Sequence, residues 1–178
     1  PPRSTLFPYT TLFRSAGKPE FFDITLEKLG IEIQIPDSEL ENIPQEGPIV
    51  FIANHPFGLL DGMVLSQLAA SARDSWAILI NSAMDKFDDF EDNMLPISFE
   101  ETREASRMNI MTKKRALKML SEGGAIAIFP SGGVMTSEGF FGPITGIEWK
   151  LFTAKMVQQS GATVIPVYFH GRNSRIFQ

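Results

Sequence analysis

Three short apolar runs constrain this chain more than any other feature. Residues 48–53 (Pro-Ile-Val-Phe-Ile-Ala), 76–80 (Trp-Ala-Ile-Leu-Ile) and 125–129 (Ala-Ile-Ala-Ile-Phe) are strand-length and carry no polar side chain. A strand with one face in water alternates apolar and polar residues; a strand covered on both faces does not. Between and after these runs lie segments that suit helices: 62–73, then 107–121 stopped by Gly123 and Gly124, then 147–160 stopped by Gly161. Apolar strands alternating with helices indicate an α/β domain, a layered sheet of mostly buried strands flanked by helices. Weaker signals predict a helix at 20–29 ended by Gly30, an alternating strand at 31–35 and a proline-bearing loop at 36–48. Further strands are expected at 95–98 and 163–169, and the acidic segment 85–92 reads as a short helix or a flap.

The ends read differently from the middle. Residues 1–15 repeat Thr-Leu-Phe, contain no acid and follow neither a helical nor a strand period, so a non-native or disordered tail is expected there. The rest, 16–178, reads as a single domain, and the stop at Gln178 soon after a strand suggests truncation at the C-terminus. The 178 residues carry a net charge of -5, which disfavours a nucleic-acid partner. Cysteine is absent, so a thiol nucleophile, a disulfide and a thiolate metal site are excluded. Two histidines among scattered acids give no metal-ligand spacing. No apolar run approaches the ~18 residues that a membrane-spanning helix needs.

Ligands of parallel sheets collect beyond the carboxyl ends of the strands. Three such ends carry polar motifs here: Asn54-His55, Pro130-Ser131-Gly132-Gly133 and His170-Gly171-Arg172-Asn173. Histidine moves protons near neutral pH, and a carboxylate fixes its tautomer. Asp61 is the nearest acid, six positions on, with Pro56 and Gly58 between them. That spacing is not a one-turn helical pair, so a loop must fold back to join them. Asp61 serves equally well as a cap for the helix that starts near Gly62. Ser131 is open to two readings, a hydrogen-bonding site residue or a turn former.

These motifs resemble those of the lysophospholipid (glycerolipid) acyltransferase family. Asn-His with a downstream Asp, Phe129-Pro-Ser-Gly-Gly133 and Val164-Ile-Pro-Val167 fall in the family's order. The Asn-His-Pro-Phe-Gly form and the tail from His170 are most similar to its haemolysin-like, ornithine-lipid-type branch. The resemblance implies a fatty acyl group moved from an acyl carrier protein or coenzyme A thioester to a lysolipid or related hydroxyl. It implies His55 as general base and Asp61 as its orienter. Asn54, Gly58, Arg103, Arg107, Ser131, Gly132 and Gly133 would bind substrate, the last two through backbone N–H groups facing the oxyanion. It implies no cofactor beyond the thioester co-substrate, a lipid acceptor, and peripheral contact with the cytoplasmic face of a membrane. Two departures stand out: five residues separate His55 from Asp61 where the family commonly has four, and Ser131 replaces the usual Glu. Two other classes fit some of the same residues. A serine-type lipid ester hydrolase would use Ser131, although the chain has no Gly-x-Ser-x-Gly elbow. A noncatalytic lipid-binding module would not need His55.

Overall fold

A computed structural model describes residues 19–84, 92–137, 144–146 and 148–173. The expectations for 1–15 and for 85–91 lie outside the described residues. Chain order runs α1 (Pro19–Lys28), α2 (Asp37–Glu41), β1 (Ile49–Ala53), α3 (Leu59–Ala72), β2 (Trp76–Asn81), a 3-10 turn at Ser82–Met84 and β3 (Met94–Ile97). It continues through α4 (Arg103–Ser121), β4 (Ala125–Ile128), β5 (Thr136–Ser137), β6 (Ile144–Thr145), α5 (Leu151–Ser160) and β7 (Thr163–Val167). Five strands form a sheet in the order β3-β2-β4-β1-β7, every pair parallel. β5 and β6 pair separately and antiparallel.

Both faces of this sheet are covered, which is why its strands do not alternate. Ile49, Phe51 and Ala53 of β1, Trp76 and Ile78 of β2 and Ala125 and Ala127 of β4 pack with Phe22 of α1 and Leu65, Leu68 and Ala69 of α3. The residues between them, Val50, Ala77, Leu79, Ile126 and Ile128, pack with Ala116 and Leu120 of α4 and Met156 of α5. Successive side chains of a strand point to opposite faces, so each apolar run supplies both layers.

The order of the strands locates the site. The chain leaves β1 through α3 on one face and reaches β2, two places away. It leaves β4 through α5 on the other face and reaches β7, two places away in the opposite direction. The connections from the neighbours β1 and β4 therefore diverge, and a crevice opens between their carboxyl ends.

The opposite edge is closed by Arg73, at the C-terminal end of α3. Its guanidinium donates to the carbonyls of Pro44 (2.8 Å), Gly47 (2.8 and 3.0 Å) and Gly123 (3.1 Å), tying the turns that precede β1 and β4. Burial lowers the Arg73 pKa from its ordinary value, partly offset by Glu46.

Several boundaries differ from those predicted. Residues 31–35 are not a strand: alternation alone makes no ladder, and no neighbouring strand pairs with them. The loop at 36–48 contains the one-turn α2. α4 begins at Arg103 rather than 107, because Thr102 Oγ1 accepts from the Ala105 N–H at 3.1 Å and caps an extra turn. α3 starts at Leu59 rather than 62, α5 at Leu151 rather than 147, and β7 stops at Val167 rather than 169.

Candidate active site

Strand β1 delivers Asn54 and His55 to the crevice. The next three residues reverse the chain: Gly58 sits at φ 73°, ψ -120° and begins α3. A side chain at that φ is strained, so glycine is the residue that permits so short a return. Asp61 follows in the first turn of α3, almost wholly buried at 1% exposure. Its Oδ2 accepts from the Phe57 N–H at 2.7 Å, from the Gly58 N–H at 3.1 Å and from His55 Nδ1 at 3.0 Å.

The two readings of Asp61 are thus one arrangement. The carboxylate caps the helix and grips the histidine with the same oxygen. The five-residue separation still closes the pair, because the extra length is taken up in the tight turn at Phe57 and Gly58. Two backbone N–H groups already donate to Oδ2, so that oxygen is the acceptor toward the ring and the proton sits on Nδ1. In the neutral ring Nε2 then keeps its lone pair, as a general base requires. Asp61 Oδ1 is buried without a hydrogen-bond partner among the described residues.

The ring of His55 is fixed on its flat side as well. Phe129, at the end of β4, stacks on it with centroids 3.8 Å apart and planes 17° from parallel. The His55 carbonyl accepts from the Met135 N–H at 2.8 Å. The side chain keeps 15% of its surface exposed, enough for a reacting group to approach one edge. Neither Phe129 nor Met135 stood out as a site residue in the sequence. Phe129 closes an apolar run and opens the Phe129-Pro-Ser-Gly-Gly133 block, and nothing local distinguishes a core aromatic from one that shelves the His55 ring.

Asn54 points its amide across the sheet edge. It donates to the Phe169 carbonyl at 3.0 Å and accepts from the Phe169 N–H at 2.7 Å. This side chain continues the β1–β7 pairing beyond the last backbone partners, which also explains why β7 ends early. Both polar groups of the amide therefore hold the segment after β7. That segment approaches the dyad through Gly171, against which the ring of Phe57 lies.

The turn after β4 closes the third side. Ser131 is buried, and its hydroxyl donates to the Gly133 carbonyl at 3.0 Å; no bond to His55 is present among the described residues. Gly132 adopts φ 69° with Phe99 packed so closely that an added Cβ would lie 2.2 Å from the ring. Its N–H donates to the Phe129 carbonyl at 2.9 Å, so it is committed to the turn rather than offered to an oxyanion. The Gly133 N–H has no partner among the described residues. Gly58 stands beside Val134, 3.5 Å from where its Cβ would be, which joins this turn to the start of α3.

The structure thus brings together His55, Asp61 and Gly58 by direct bonds, and packs Gly132 and Gly133 beside them through Phe129 and Val134. Arg103 and Arg107 are exposed in the first two turns of α4, with no ion pair and no contact to the dyad among the described residues. Among the described residues no group of His, Asp and Glu is placed to hold a metal ion, and no helix is long and apolar enough to cross a membrane.

Comparison with known proteins shows the family. A lyso-glycine lipid O-acyltransferase of Phocaeicola vulgatus is 30% identical over 164 residues, which cover 89% of this chain and 54% of that protein. One of Bacteroides thetaiotaomicron, with the same name, is 29% identical over 167 residues, covering 89% and 55%. The chain therefore spans about half the length of the curated relatives it matches. The model of the Acyltransferase family matches residues 34–170, from the approach to α2 through the last strand and the whole site. On that match the chain belongs to the acyltransferase family.

Proposed function

We propose that this protein transfers a fatty acyl group from a thioester, carried by acyl carrier protein or coenzyme A, to the hydroxyl of a lysolipid. The observation that carries the reading is the 3.0 Å bond from His55 Nδ1 to an Asp61 oxygen already held by two backbone N–H groups. The acceptor hydroxyl gives its proton to His55 Nε2 as its oxygen attacks the thioester carbonyl carbon. The C–O bond forms, the carbonyl oxygen becomes an oxyanion, and Asp61 stabilises the imidazolium. Collapse breaks the C–S bond, and the thiolate leaves with the proton from Nε2. The Gly133 N–H, without a partner among the described residues, suits the oxyanion. Arg103 and Arg107, at the start of α4 on the same sheet edge, suit an anionic head group. The relatives' name makes a lyso-glycine lipid the first acceptor to offer.

The protein is to be incubated with labelled acyl-carrier-protein or acyl-CoA donors and a lyso-glycine lipid. Donor-dependent acylation is expected, and His55→Ala should lower its rate by roughly 10²–10⁴-fold. Unchanged transfer by that variant would remove His55 from the mechanism.

A hydrolase using Ser131 gains no support from the geometry. The hydroxyl is turned to Gly133, and Ser131→Ala is expected to leave transfer measurable.

A further inference from the structure

Helix α4 has a second face. Ala105, Thr112, Ala116 and Leu120 are buried toward the sheet. On the opposite side, at i, i+4, i+7, i+11 and i+15, stand Arg103, Arg107, Ile110, Lys114 and Lys118, all exposed, with Met111 beside Ile110. Ile110 is 57% and Met111 66% exposed. Lys118 pairs with Glu122 at 3.8 Å, both ends largely in solvent.

Among the described residues the two helix layers differ in charge. Residues 22–74, which supply α1, α2 and α3, contain nine acids and two basic side chains. α4 contains six basic side chains and one acid, and residues 149–160 contain two basic side chains and no acid. The other acids near this layer, Glu100, Glu101, Glu122 and Glu148, stand outside the helices, near their ends. α5 lies beside α4; Trp149 just precedes it and Leu151 begins it, 60% and 73% exposed. They are tied to the active-site turn, because the Lys150 N–H donates to the Pro130 carbonyl at 3.0 Å.

We propose that the α4–α5 layer docks the protein on an anionic lipid bilayer. Ile110, Met111, Trp149 and Leu151 enter the interface, while Lys114, Lys118 and Lys155 meet head-group phosphates. Apolar side chains spread over two neighbouring helices among lysines match a plane of lipid, where lysine stems lie along apolar surface and the ammonium groups reach phosphate. The acidic layer is turned away from the membrane, so a net-negative protein still binds a negative surface in one orientation. Trp149 and Leu151 bring the catalytic edge to that surface. The value of the docking for transfer rests on the acyltransferase reading; the docking itself rests on the surface alone.

The test is cosedimentation of the chain with vesicles of phosphatidylcholine, and with equimolar phosphatidylcholine and phosphatidylglycerol. Binding is expected to the mixed vesicles and to be weak on the neutral ones. Lys114→Glu should lower the partition on the order of tenfold, and Ile110→Ser with Met111→Ser should lower it as well. Glu39→Lys, on the acidic layer, should change it less than about twofold. Thermal unfolding checks each variant, and if one is unfolded the other decides. Absence of binding to mixed vesicles would overturn the proposal. So would an equal effect of Glu39→Lys, or α4 variants that weaken binding to purified acyl carrier protein and leave vesicle binding unchanged. Transfer to a dispersed acceptor is measured in parallel. Transfer without vesicle binding removes only the docking surface, and vesicle binding without transfer leaves it standing while removing the catalytic reading.

Discussion

Asp61 joins two tasks in one atom. Its Oδ2 accepts from the N–H groups of Phe57 and Gly58, which lead into α3, and from His55 Nδ1, so a substitution bears on both folding and proton transfer. Asp61→Asn keeps an oxygen where the two backbone N–H groups and His55 Nδ1 converge, but loses the negative charge that stabilises the imidazolium. The expected outcome is a protein that unfolds at nearly the wild-type temperature and transfers acyl groups roughly 10²-fold more slowly or worse. Asp61→Ala should also lose about 1–3 kcal/mol in denaturant titrations, because buried N–H groups go unpaired. If Asp61→Asn kept full activity, the carboxylate would be a cap and nothing more.

The elements were legible where burial was symmetrical and illegible where long-range partners decide. β1, β2 and β4 announced themselves, because a strand between two helix layers has only apolar positions. Residues 31–35 alternate as an edge strand would, yet they find no ladder partner, a fact no local pattern contains. His55 stood out in its motif, whereas the spacing to Asp61 fitted a helix cap as well as a partner, and only the folded turn at Phe57 and Gly58 joins the two. The stack of Phe129 on His55 was not legible, because it joins residues 74 positions apart that meet only when β4 lies beside β1. Arg73 was missed for a related reason. A lone arginine at a helix end looks like a solvated charge, and its value comes from carbonyls of the two turns gathered there, before β1 and before β4. Arg73→Ala should destabilise the protein by about 1.5–3 kcal/mol, seen as a lower denaturant midpoint with unchanged turnover of the folded fraction. Lysine at this position should recover only part of the loss, since a single ammonium cannot reach the turns before both β1 and β4 as a planar fork does.

At the scale of the molecule, the strand order divides the sheet into two pairs. β2 bonds β3, β1 bonds β7, and β4 alone connects the halves. β4 is also the shortest description of the fold's constraints: four residues, all buried, with small Ala125 and Ala127 facing α3 and large Ile126 and Ile128 facing α4. This arrangement has a consequence for the protein's synthesis. As the chain leaves a ribosome, β1 and β2 emerge early but share no edge, and the strand that belongs between them appears some seventy residues after β1. Until it arrives, β1 has neither of its neighbours, and the histidine it carries has no shelf to rest on. Assembly must therefore wait for contacts between distant segments, which slows folding. It also leaves unpaired apolar strands for chaperones or aggregation to find. A nascent chain arrested after Ser121 should show no protected amides in β1 under hydrogen exchange, whereas release past β7 should protect β1 and β4 together. Early protection of β1 would mean that some other segment holds its place open.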